Sequence, residues 1–255
     1  MKHAVMCLTL MVCIILFGQT GFTVAPPRYE LLEKPGNNKT VIFTVENKSD
    51  NSLHIRVSLS DWSMDSTGEV VFHPSGTFSN SSSEWVYINP MEFDIDGNAS
   101  RDIRITLSVP EDVFGEYRSM VMFKSTPSVN NPGDMVQFST RIGAALYTQI
   151  VGTVSLNGSI EDIVFNNASQ FINVKYLNTG NAHHRADIKI IIKNSDGNVI
   201  YEDGLSRQLA LPSLERVFIF KPETYFKEGD YRIEVLIDYG GNEMLRGIKN
   251  ITVYQ

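Results

Sequence analysis

From residue 22 onward, apolar and polar side chains alternate in short segments, and clusters of Gly, Pro, Asn, Asp and Ser interrupt them roughly every 8 to 15 residues. A period of two places successive side chains on opposite faces of a strand, whereas the 3.6-residue period of an amphipathic helix is almost absent. The pattern predicts strands over residues 22–32, 40–46, 53–60, 69–72, 84–88, 102–109, 115–123 and 135–151. It continues with strands over 154–165, 171–177, 185–193, 199–201, 215–220, 230–238 and 245–253. Asp65-Ser66-Thr67-Gly68 and Asp96-Gly97-Asn98 read as turns whose glycines tolerate a positive φ, and Asp196-Gly197 reads as the tip of a hairpin. The expected fold class is all-β.

One internal echo divides the chain. Gly115-Glu116-Tyr117-Arg118 and Gly229-Asp230-Tyr231-Arg232 both open an alternating strand, and each lies one predicted strand before its half ends. In immunoglobulin-like sandwiches a Tyr at this place hydrogen-bonds back to the preceding corner. The expected organisation is therefore two tandem immunoglobulin-like β-sandwiches, over 22–152 and 153–255, joined near Gly152 with almost no linker. So short a joint implies a fixed elbow. Trp62 is expected as a core aromatic that caps the first sandwich.

Residues 1–21 read as a cleaved secretory signal: Lys2 and His3 precede the uncharged apolar run from Ala4 to Phe17, with Gly18, Thr20 and Gly21 at its exit. That run is too short to span a bilayer, so no stable membrane insertion is expected once it is removed. Both cysteines, Cys7 and Cys13, lie inside it, which leaves the mature chain without a disulfide, a thiolate metal site or a Cys nucleophile. Hydrophobic residues make up 42% of the 255 and charged residues 20%, enough to bury a core and stay soluble. Lys and Arg number 22 against 29 Asp and Glu, with no basic run, so nucleic acid is not an expected partner.

The first half resembles the N-terminal domain of the periplasmic pilus chaperones, the PapD-like family. The resemblance rests on an ordered set: 22–30 with Pro27-Arg28, 40–47, Asp61-Trp62, Trp85-Val86-Tyr87-Ile88-Asn89-Pro90 with Phe93 and Asp96-Gly97, 104–109, Gly115-Glu116-Tyr117-Arg118, and Thr140-Arg141-Ile142 through Leu146-Tyr147. It implies a pair of sandwiches that lends a strand to an incomplete pilin-like client, covering the client's exposed edge. By this resemblance Val136 and Phe138 are the groove-filling donors and Arg28 grips the client's terminal carboxylate. The lysine that should partner Arg28 falls at Gly143, so Arg141 is supposed in its stead, and a third apolar donor position holds Asp134. The second half looks more like the generic immunoglobulin-like modules of bacterial surface and secreted proteins.

No catalytic constellation is present: there is no G-x-S-x-G elbow, phosphate loop or dinucleotide fingerprint. His183 and His184 are adjacent, so on a strand they point to opposite faces and cannot share a metal, whereas on a turn they could; with no H-x-x-x-H or nearby carboxylate set, they are expected as solvated turn residues. Asp61, Asp65 and Glu69 lack the spacing of a calcium loop. The expectation is a non-enzyme without cofactor or metal, located in the periplasm. It would bind a secreted or fimbrial protein client by β-strand addition through Arg28, Val136, Phe138 and Arg141. The alternative is a secreted or surface structural or adhesive module with no chaperone activity.

Overall fold

The structure, a computed structural model, describes residues 21–127 and 139–254. Val136, Phe138 and the leader over 1–20 lie outside the described residues. The first half contains β1 (Phe22–Ala25), β2 (Arg28–Glu33), β3 (Asn38–Asn47), β4 (Leu53–Met64), β5 (Val70–Pro74), β6 (Val86–Asn89), β7 (Glu92–Ile95), β8 (Ser100–Ser108), β9 (Glu116–Pro127) and β10 (Arg141–Ile150). The second contains β11 (Gly158–Phe165), β12 (Ile172–Asn178), β13 (His184–Asn194), β14 (Val199–Ala210), β15 (Glu215–Phe220), β16 (Gly229–Asp238) and β17 (Leu245–Val253).

These strands form two sandwiches. In the first, a sheet ordered β1-β3-β8-β6 faces a sheet ordered β2-β10-β9-β4-β5, with β7 also paired to β4. In the second, β11-β12-β15 faces β14-β13-β16-β17. Among the described residues, no strand pairs with a strand of the other sandwich. The alternation read from the sequence gives each core directly. Val41, Phe43 and Val45 of β3, Ile103, Ile105 and Leu107 of β8, and Val121 and Phe123 of β9 point inward. Ile188, Ile190 and Ile192 of β13 interleave with Ile233, Val235 and Ile237 of β16 in the second core. Each such side chain removed from water contributes about 1.5 to 3 kcal/mol.

Several local expectations change. Residues 22–32 are not one strand: β1 pairs antiparallel with β3, and β2 pairs parallel with β10 in the opposite sheet. Pro26 and Pro27 carry no N–H, so the ladder cannot run through them, and the chain uses them to cross between sheets. In the Asp96-Gly97-Asn98 turn the positive φ belongs to Asn98, at 60°. Gly97 is needed for space, because a Cβ there would lie 2.1 Å from the Asp50 carbonyl oxygen. β14 runs on to Ala210 instead of ending at 201; as an edge strand rich in polar residues it has half its face in solvent, which hides the alternation.

The two echoed tyrosines diverge. Tyr231 makes the expected corner, its hydroxyl donating to the Lys227 carbonyl at 2.8 Å, while the Tyr117 ring packs on Trp85 at 4.2 Å.

Candidate functional site

β10 is held on both sides for only part of its length. It pairs with β9 from Arg141 to Gln149, but with β2 only from Ala145 onward. The Ala145 N–H donates to the Pro27 carbonyl at 3.2 Å, and the Val151 N–H donates to Glu33 at 2.9 Å. The two-residue period puts the N–H and C=O groups of Arg141 and Gly143 on this same side, beyond the point where β2 begins. Among the described residues no strand covers them. A row of unpaired backbone donors and acceptors is a template for another strand.

The outer face of this sheet looks toward the second sandwich. With Ile142, Ala144 and Leu146 turned into the core, Arg141, Gly143, Ala145 and Tyr147 line the outer face, beside Arg28 and Glu30 of β2. Gly143, where the resemblance expects a lysine, lies beneath two thioethers. A Cβ there would sit 3.0 Å from the Met120 sulfur and 3.2 Å from that of Met122. Arg141 places its guanidinium 5.4 Å over the Phe72 ring of β5, at the far side of the sheet from β2. Arg28 instead donates through Nε to Glu30 Oε1 at 2.7 Å. Of the expected client-binding residues, then, Arg28 and Arg141 lie on the face that carries the open edge, but their guanidinium groups engage different partners.

Glu30 also accepts from Arg185 Nη2 of β13 at 3.2 Å, and His183 Nε2 stands 3.8 Å away. Burial alone would raise the Glu30 carboxyl, but hydrogen bonds from Arg28 and Arg185, with the charges of His183 and Arg185, outweigh it and hold it below the usual carboxylate range.

Behind this pair the sandwiches are locked together. His183 and His184 are not solvated: both are at least nine-tenths buried. His183 donates its backbone N–H to Glu116 Oε1 at 3.2 Å, and its Nδ1 lies 2.5 Å from Oε2, which also accepts from Gln149 Nε2 at 3.0 Å. Its ring stacks on Tyr147 at 3.9 Å. Burial of the Tyr147 hydroxyl pushes it up to about 12. His184, on the opposite face, enters the second core and meets the Tyr176 hydroxyl at 2.5 Å. The opposed orientation was legible from their adjacency, but the burial was not, because the residues that cover His183 belong to the other sandwich.

A second contact pins the elbow. The Val217 N–H on β15 donates to the Ser66 carbonyl at 2.8 Å, and buried Arg216 donates to the Leu209 carbonyl at 2.6 Å and to the Thr67 carbonyl at 3.5 Å. Between the two contacts lies a small apolar cluster of Trp62, Met120, Met122 and Tyr147 with Leu211. Trp62 is thus a junction residue and not the cap of the first core, because its side chain leaves the outer face of β4.

Among the described residues, no group of three or more His, Cys, Asp or Glu side chains is placed to hold a metal ion, and no helix is long and apolar enough to cross a membrane.

Sequence comparison finds neither a matching protein-family model nor a matching curated protein. Comparison of folds is more informative. The chain is similar to the class 5 fimbriae chaperone CfaA, with 17% identity and a TM-score of 0.52 over 90% of this chain and 99% of that one. It is similar at 16% identity and a TM-score of 0.51, with the same coverage, to a chain of a structure described as a chaperone–tip adhesin complex of CFA/I fimbriae biogenesis. The two-sandwich architecture is therefore one that fimbrial chaperones adopt.

Proposed function

We propose that this protein is a non-catalytic, chaperone-like binder of exported subunits of the fimbrial type, acting in the periplasm after its leader is removed. The observation that carries the reading is the open edge of β10 at Arg141 and Gly143. It follows directly in sequence on Val136 and Phe138, the apolar residues proposed to enter the client's groove. Main-chain hydrogen bonds along that edge would supply affinity, and alternate side chains would supply register. Arg28, at the start of β2, stands where the open stretch ends. The fold likeness to fimbrial chaperones supports the same role.

A second reading, a rigid spacer or adhesive module at the cell surface, draws support from the two-point junction and from the ion pair that already occupies Arg28.

The two are separated by co-purification from periplasmic extracts with candidate exported subunits, followed by hydrogen exchange on the complex. The chaperone reading expects slowed exchange at the Arg141 and Gly143 amides on binding. It expects Phe138→Asp to weaken capture by at least about tenfold, or about 1.4 kcal/mol. Undiminished capture by Phe138→Asp, or a complex in which those amides exchange as in the free protein, refutes strand addition.

A further inference from the structure

We propose that the outer face of the second sandwich carries a phosphate-binding site formed by Lys193 of β13, Arg232 of β16 and Arg246 of β17. The site is independent of the strand-lending role proposed above. Lys193 lies eight residues along β13 from Arg185, so at the rise of a strand about 26 Å separates it from the crevice between the sandwiches.

Three cations from three strands converge there on one carboxylate. Lys193 Nζ stands 3.4 Å and Arg232 Nε 3.3 Å from Glu234 Oε1, while Arg246 Nη2 stands 3.3 Å from Oε2. All three distances exceed the roughly 2.7 to 2.9 Å of a close charge-assisted bond. Among the described residues none of the three pairs with another acid, so the cluster holds two positive charges more than its carboxylate balances. Lys193 and Arg232 are also direct partners in the β13–β16 ladder, where like charges destabilise. A single carboxylate at these distances offsets little of that repulsion.

The cations remain open to a second anion. Ile191 and Ile248 flank Glu234 on the neighbouring strands, and its side chain is 11% exposed, whereas those of Lys193, Arg232 and Arg246 are 32%, 49% and 55% exposed. Lys193, Arg232 and Glu234 line a groove of about 650 Å³ together with Asn250 and Asp230. Asp230, on the side of Arg232 away from Glu234, accepts from the Thr252 hydroxyl at 2.7 Å. Each guanidinium has five N–H donors and reaches Glu234 through one nitrogen, which leaves the others for an incoming acceptor. Three separate cations suit a phosphate, which offers three charged oxygens, better than a carboxylate, whose place Glu234 already fills.

The test uses the full folded chain and inorganic phosphate as the probe, with sodium chloride holding ionic strength constant. The backbone amides of Lys193, Arg232 and Asn250 are followed by NMR, and saturable movement with phosphate is expected. Arg232→Gln and Arg246→Gln should each raise the midpoint at least about fivefold, while Glu234→Gln, which frees the three cations, should lower it about threefold. Lys249→Gln, on the same strand as Arg246 but beside Asp162, should leave it unchanged. Movement that does not saturate, or that Arg232→Gln and Lys249→Gln weaken alike, overturns the proposal. Sedimentation with phosphatidylglycerol vesicles against phosphatidylcholine vesicles then identifies the source of the phosphate. Retention by the former alone, lost in Arg232→Gln, makes it a lipid headgroup's, and a phosphate response without retention makes it a soluble ester's; either result upholds the site.

Discussion

Below neutral pH the second sandwich should lose stability through a single imidazole. His184 is only 4% exposed, and burial pushes it down from 6.5 to about 4, with the neighbouring charge of His183 acting the same way and that of Glu116 opposing it. Burial also raises the Tyr176 hydroxyl, so Tyr176 stays protonated where it meets His184 Nε2 at 2.5 Å. The ring is therefore neutral at pH 7 in the folded chain. The sign follows from linkage. Above 6.5 the ring is neutral in both the folded and unfolded chain, and its contribution is complete. As pH falls from 6.5 toward about 4, the unfolded chain takes up a proton that the folded chain refuses, so stability is lost across that window. At about 1.4 kcal/mol for each pH unit the loss approaches about 3 kcal/mol by pH 4. Urea unfolding followed by circular dichroism between pH 7 and 4 measures it, with His184→Gln as the comparison. The variant should start from a lower stability and show a flatter pH dependence by that amount. Equal slopes in the two proteins, or a His184 ring that titrates near 6.5 by NMR in the folded chain, would refute the reasoning.

Two further outcomes test the elbow. Gly68 has φ +104°, and a Cβ there would stand 2.5 Å from Arg216 Nη2. Gly68→Ala should cost about 2 kcal/mol and speed hydrogen exchange at the Val217 amide that reaches Ser66, and unchanged exchange would show that the turn does not hold this contact. Glu116→Ala leaves His183 and Gln149 without their buried acceptor, so chemical denaturation should show a loss of about 3 to 5 kcal/mol, and a loss below about 1 kcal/mol would remove Glu116 from the junction's stability.

The candidate site was only partly legible before the fold was known. Arg28 and Arg141 stood out through a resemblance in strand order, and both lie on the outer face of the sheet that carries the open edge. Arg185, Glu30, Glu116 and His183 carried no such signal. Glu116 and His183 are 67 positions apart, and Glu30 and Arg185 are 155 apart, so no local spacing connects them. The echoed Gly-acid-Tyr-Arg segments make the point within one chain. Glu116 and Arg118 are buried at the junction, whereas the Arg232 side chain is 49% exposed on the outer face of β16. Their local sequences match, and only the sandwich packed against one of them separates their chemistry.

Strand periodicity, the hairpin at Asp196-Gly197 and the alternation that fills both cores follow from the sequence, because alternation and turn chemistry act between near neighbours. Which charges meet across the elbow, which histidine is buried and where β10 loses its second partner were settled by the tertiary structure. Those outcomes depend on how two finished surfaces come together, and electrostatic and edge-pairing contacts between them obey distance in space, not separation along the chain.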